Sequence, residues 1–129
     1  MIEYGTIFMK KILVVDDNKS LLDVLTMLLR ENNFIVSVAM DPVQATMQLR
    51  KNAPDLIILD IMMPAGGGMS FYNIVKQSND TQSIPVIFLT AAPIQELQGK
   101  IASLDKRLFI NKPWNNEELL STIRAFIPD

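Results

Sequence analysis

Five side chains of this 129-residue chain could do chemistry together: Asp16, Asp17, Asp60, Thr90 and Lys112. The chain has no His and no Cys, so a Ser-His-Asp triad, a Cys-His pair and any imidazole or thiolate metal site are excluded by inventory. A metal here must be held by oxygen. Three carboxylates brought together disfavour one another's ionisation. A hard divalent ion relieves that repulsion, and Mg²⁺, which keeps several of its waters, suits a shallow, partly solvated oxygen site. A carboxylate can also attack phosphorus once a bridging cation and a nearby ammonium offset the repulsion between the two anions. Asp60 is the candidate nucleophile and Lys112 the candidate ammonium. Thr90 offers a hydroxyl able to donate to a phosphoryl oxygen.

Each of these residues stands directly after a short apolar run or at its end. Ile12–Val15 precedes Asp16 and Asp17, Leu56–Leu59 precedes Asp60, Val86–Leu89 precedes Thr90, and Leu108–Ile110 lies just before Lys112. Runs of this length, continuous rather than alternating, predict strands buried on both faces of a parallel sheet. Phe34, Val36 and Val38 alternate instead, which predicts a strand at a sheet edge. Between the strands lie helical patterns: Leu21, Leu22, Leu25, Leu28 and Leu29; Ala45 and Leu49 after an Asp41-Pro42 start; Phe71, Ile74 and Val75; and Leu119, Leu120, Ile123 and Phe126 after an Asn115…Glu118 capping signature. Ile94, Leu97, Ile101 and Leu104 mark the remaining helix, the fourth in order, entered through Pro93 and weakened in its middle by Gly99.

Strict alternation of five strands and five helices predicts an α/β fold: a doubly wound five-stranded parallel sheet of order 2-1-3-4-5, a flavodoxin-like three-layer sandwich. Such a sheet binds its ligand beyond the carboxyl ends of the strands, where all five candidates fall. Residues 10–129 are read as one domain, and residues 1–9 as an extension expected to be loosely ordered. With 12 basic against 14 acidic residues and a net charge of -2, no basic footprint for nucleic acid is present. No apolar run reaches membrane-spanning length, and a soluble, cytoplasmic protein is expected.

Four motifs in order carry a resemblance to the response regulator receiver domain family over Lys10 to about Ile127: Asp16-Asp17; Asp60-Ile61-Met62-Met63-Pro64 with Gly68 following; Thr90-Ala91; and Lys112-Pro113. The resemblance implies that Asp60 accepts a phosphoryl group from a histidine kinase or phosphotransfer protein. It also implies that Asp17, Asp60 and the backbone carbonyl of Met62 bind Mg²⁺ directly, with Asp16 acting chiefly through water. Thr90 would be the switch hydroxyl and Phe109 the aromatic switch residue. An output protein or a second copy would meet the face made by helix four, strand five and helix five. Rather than a conventional enzyme, the chain would be a phosphoacceptor that catalyses its own phosphorylation from small phosphodonors and its own dephosphorylation. Three departures bear on the output surface: Leu104-Asp105-Lys106-Arg107 where the family often has a small Gly-Ala pair, an early Pro93, and Gly66-Gly67-Gly68, read as a flexible loop.

Taken singly, each residue has a plainer reading. Asp16 and Asp17 could cap the first helix, Asp60 could be a turn residue, Lys112 a solvated lysine, Thr90 a strand-end hydroxyl, and Phe109 and Trp114 core residues. The eight Met residues are expected to fill gaps in the core. Convergence on one rim of one sheet is what independent accidents would not produce. A receiver-like interaction module working without phosphorylation is the alternative, and an intact acid cluster, Thr90 and Lys112 argue against it. A small phosphohydrolase with an Asp nucleophile would want Asp-x-Asp after strand one, which Asp16-Asp17-Asn18 does not supply.

Overall fold

In the computed structural model, which describes residues 9–101 and 104–128, five parallel strands form one sheet of order β2-β1-β3-β4-β5. The strands are β1 (Lys11–Val15), β2 (Ile35–Ala39), β3 (Leu56–Leu59), β4 (Val86–Thr90) and β5 (Phe109–Asn111). The helices are α1 (Lys19–Glu31), α2 (Pro42–Lys51), α3 (Gly67–Gln77), α4 (Ile94–Gln98) and α5 (Asn116–Phe126). The expected residues 1–9 extension falls, for residues 1–8, outside the described part.

The continuous apolar runs are central strands, as their composition requires: every residue of β3 and β4 is buried. Alternate strand positions serve two separate cores. Leu13, Val15, Ile57, Leu59 and Phe88 face the side covered by α2, α3 and α4. Ile12, Val14, Leu56, Ile58 and Leu89 face α1 and α5. Helix starts follow the cap signals, with Asn18 Oδ1 accepting from Leu21 N at 3.1 Å, Asp41 Oδ1 from Gln44 N at 2.8 Å and Asn115 Oδ1 from Glu118 N at 3.0 Å. The cap of α1 is therefore Asn18 rather than Asp16 or Asp17.

Three expectations need correction. Helix four does not extend to Leu104. It ends at Gln98, because at Gly99 the ladder bond to Gln95 O lengthens to 3.4 Å and the N–H groups of Lys100 and Ile101 both close on Leu97 O. Gly66-Gly67-Gly68 is not a flexible loop. Gly66, at φ 70°, supplies a left-handed turn, while Gly67 and Gly68 form the buried first turn of α3. Nor do the methionines all fill gaps: Met27, Met40, Met47 and Met62 are exposed.

Phe71 is fully buried in the α3 side of the core, whereas Asn73 two positions on is exposed. Phe71→Ala is expected to lower the unfolding free energy by about 3–5 kcal/mol. Asn73→Ala should stay within about 0.5 kcal/mol of the parent. Urea denaturation of both variants checks the assignment of the buried face.

Candidate functional site

Strand register places the acids. Val15 pairs with Leu59, so the residues that follow, Asp16 and Asp60, emerge side by side at the carboxyl end of the sheet. Their backbones are tied to neighbouring strands, with Asp16 N donating to Ala39 O at 3.1 Å and Asp60 N to Val15 O at 3.0 Å. Both carboxylates are buried, Asp16 at 2% and Asp60 at 6% exposure, while Asp17 is exposed. Carboxylate oxygens of Asp16, Asp17 and Asp60 lie within 4.8 Å of one another.

Lys112 arrives from the end of β5 and joins two of these acids. Its Nζ donates to Asp16 Oδ2 at 2.7 Å and to Asp60 Oδ2 at 3.0 Å. The remaining oxygens are held by backbone: Asp16 Oδ1 accepts from Asn18 N and Asp60 Oδ1 from Met62 N, each at 2.9 Å. Burial pushes the Asp16 carboxyl above its ordinary value, and the hydrogen bonds from Lys112 and Asn18 offset only part of that. Burial works against the Lys112 ammonium too, but hydrogen bonds to Asp16 and Asp60 outweigh it and hold the group above its ordinary 10.5.

Thr90 closes β4 and is 0% exposed. Its Oγ1 accepts from Ala92 N at 3.3 Å, which leaves the hydroxyl hydrogen available to a new acceptor. The backbone links it to the lysine, since Thr90 O accepts from Lys112 N at 3.0 Å. Phe109 opens β5 beside Phe88 of β4 and is half-buried, packed against the α2–α4 core. Met62 is exposed at the rim. Asp16, Asp17, Asp60 and Lys112 are thus gathered at one point, Thr90 stands on the neighbouring strand end, and Phe109 sits at the opposite end of β5 from Lys112.

Two features escaped the sequence reading. Asp16 is a direct partner of Lys112, a pairing across 96 residues that no local pattern encodes. Gly68 permits a close approach, because a Cβ there would lie 2.5 Å from Ile61 Cα and 2.7 Å from Asp60 O. A signal existed, in that Gly is an unfavourable residue for a helix start buried against backbone unless space demands it.

Comparison with known proteins now bears on this geometry. A profile of the response regulator receiver domain matches residues 12–124. The chain belongs to that family and is a receiver domain of the two-component response regulator kind. Among curated relatives, it is 34% identical over 116 residues to the phosphate regulon transcriptional regulatory protein PhoB of Klebsiella pneumoniae, covering 90% of this chain and 51% of that protein. It is likewise 34% identical over 121 residues to the sensory transduction protein RegX3 of Mycolicibacterium smegmatis, covering 92% of this chain and 51% of that protein. The chain therefore spans about half the length of the curated relatives it matches. Among solved structures, a response regulator from Chloroflexus aurantiacus superposes with TM-score 0.80 at 26% identity, over 94% of this chain and 99% of that one. The chemotaxis protein CheY4 of Vibrio cholerae does so with TM-score 0.78 at 28% identity, over 92% and 99%.

Gly68→Ala is expected to cost about 1–3 kcal/mol of stability, because the clashing atoms are backbone and cannot rotate away. Gly99→Ala should be neutral or stabilising by up to about 1 kcal/mol, since its nearest contacts would be ordinary ones at 3.7 and 4.0 Å. Chemical denaturation separates the two.

In metal-free buffer, Lys112→Ala should cost about 1–3 kcal/mol at neutral pH by leaving two buried carboxylates without their shared cation. The folded Asp16 carboxyl is already raised by burial, and losing Lys112 raises it further. The penalty is therefore present above that folded pKa and fades as pH falls through it, so the gap between variant and parent should narrow from about pH 8 to about pH 4. In the parent, Lys112 contributes stability that is complete below 10.5 and lost as pH rises through its raised value.

Proposed function

We propose that Asp60 is the phosphoacceptor of this receiver and that the acid cluster holds Mg²⁺ through Asp17, Asp60 and the Met62 carbonyl, with Asp16 contributing chiefly through water. The observation that carries this reading is the forked contact of Lys112 with Asp16 and Asp60 at the mouth of the sheet. Three carboxylates and one ammonium leave two negative charges in an all-oxygen site, which fits a hard divalent cation. Such an ion, when bound, neutralises the nucleophile and the incoming phosphoryl group together.

The chain's own residues do the rest. Met62 N fixes Asp60 Oδ1, which leaves Oδ2, the oxygen that faces Lys112, as the nucleophile. That oxygen attacks phosphorus in line, the P–N bond of a phosphohistidine breaks, and the imidazole of the donor keeps the electron pair and takes a proton. A histidine kinase or phosphotransfer protein is the proposed donor. Lys112 lies 3.0 Å from Asp60 Oδ2, close enough to follow the charge onto a phosphoryl oxygen. Thr90 turns its hydroxyl toward the new acceptor.

Because Thr90 O holds Lys112 N, movement at the end of β4 reaches β5 directly. Phe109 and the face made by α4, β5 and α5 are the proposed readout, meeting an output protein or a second copy. Asp60 and its neighbours would also support phosphorylation from small phosphodonors and hydrolysis of the acyl phosphate. Residues 10–129 are the proposed domain, and a cytoplasmic setting fits a donor of this kind. No helix among the described residues is long and apolar enough to cross a membrane.

Incubation with Mg²⁺ and acetyl phosphate should add one phosphoryl group by intact mass. Asp60→Asn should abolish the gain, and Lys112→Ala should slow it by about tenfold or more, in line with removal of one preorganised charge. Equal labelling of Asp60→Asn and parent would remove Asp60 from the role. Labelling of neither would favour the phosphorylation-independent interaction module.

A further inference from the structure

Strand order places Thr90 between two different neighbours. On one side of β4 is β3, which Asp60 follows, and on the other is β5. The register partner of Thr90 on the β5 side is Asn111, the last residue of that strand. Strand alternation sends both side chains to one face of the sheet, since Phe88 and Phe109, two residues before each, pack in the core on the α2–α4 side. Ala92, buried in that same core, lies in the loop that carries the chain from β4 to α4.

Ala92 is held from both sides by this pair. Its N–H donates to Thr90 Oγ1 at 3.3 Å, and its carbonyl accepts from Asn111 Nδ2 at 3.5 Å. Asn111 holds it from a fixed base, because the N–H of the next residue, Lys112, is bonded to Thr90 O at 3.0 Å. The two bonds to Ala92 respond differently when the Thr90 hydroxyl turns toward an acceptor on Asp60. The Ala92 N–H bond is buried, and it survives only if the loop follows Oγ1; a buried N–H left without an acceptor is costly. Following Oγ1 toward β3 carries Ala92 away from β5, so the bond to Asn111 is the one that stretches. At 3.5 Å that bond is already near the limit of a hydrogen bond, and a small displacement breaks it.

We propose that Asn111 is a positioning residue for the switch: its amide holds the β4–α4 loop toward β5, and this hold is released when Thr90 reaches for a phosphoryl group on Asp60. The inference rests on the reading of Asp60 as phosphoacceptor and Thr90 as switch, and it adds the restraint that sets the balance between two loop positions. A ligand on Asp60 shifts that balance only by what it gains in one position over the other. The bond from Asn111 subtracts from that gain. Neutral and long, it opposes the change weakly, by a factor of about two to five in the equilibrium between positions. Among the described residues the Asn111 side chain bonds to none of the acids, so its effect runs through the loop rather than through the metal site.

The probe is beryllofluoride at saturating Mg²⁺, a phosphoryl mimic that binds a carboxylate without being transferred, followed through the amide NMR signals of Thr90 and Ala92 in the full chain. Asn111→Val removes the donor at an exposed position. It should lower the half-saturating beryllofluoride concentration about two- to fivefold, speed hydrogen exchange at Ala92 N and leave Mg²⁺ affinity unchanged. In a Thr90→Ala background the same substitution should leave half-saturation where it was, because no hydroxyl then draws the loop away. A residue that merely stabilises β5 would lower the thermal midpoint and act equally in both backgrounds. Asn111→Ala repeats the test should the Val variant not fold. Half-saturation that is unchanged or raised in both Asn111 variants overturns the inference, as does a decrease that persists in Thr90→Ala. A parent that takes up no beryllofluoride, or an Asp60→Asn variant that takes it up equally, overturns the function proposed above and this inference with it.

Discussion

The sheet ends at a charge that it cannot hold unaided. Asp16 and Asp60 are buried within reach of each other because adjacent strands β1 and β3 run in register and stop at the same level. Lys112 is what makes that burial tolerable: one ammonium forked between two carboxylates, itself held above its ordinary value by them. A buried pair of this kind adds little net stability over an apolar replacement, yet breaking it is costly. The arrangement therefore makes most sense as a site kept charged for use. Its remaining negative charge, with Asp17 at the rim, is the feature that a divalent ion and a phosphoryl group would answer.

The same lysine ties chemistry to structure. Its backbone N–H is bonded to the carbonyl of Thr90, and its side chain to the two acids. Strand ends β1, β3, β4 and β5 are thereby connected through one residue. Any change in charge on Asp60 alters the pull on Lys112, and Thr90 is fully buried with its hydroxyl hydrogen uncommitted. A two-state response needs such a group, one whose partner differs between states.

How much of this was legible in the sequence follows from range. The strands and their order could be read because burial on both faces leaves continuous apolar runs, and the caps Asp41 and Asn115 could be read because capping acts over three residues. Asp16, Asp17, Asp60, Thr90 and Lys112 were found because a parallel sheet puts all its strand ends on one side. What escaped depends on contacts between distant segments. Asp16 pairing with Lys112 is one case, and the seat of Gly68 against Asp60 O is another. Helix α4 was overextended because Ile101 and Leu104 kept the helical period after Gly99 had ended the hydrogen-bond ladder. Met63 does fill the core, but Met27, Met40, Met47 and Met62 are exposed, and composition cannot tell a gap-filler from an exposed Met.

The two edges of the sheet are built differently. At β5 the strand is three residues long and bracketed by Lys106, Arg107 and Lys112, a short and charged edge of the kind that resists strand addition. Arg107 is also engaged, bonded to Asp105 and lying over the Phe126 ring. At β2 the edge is longer, uncharged and flanked by exposed Val and Met. Thr90 and Lys112 connect the acid cluster to β4 and β5, so under the proposed phosphorylation of Asp60 the change in charge would act first on the protected edge.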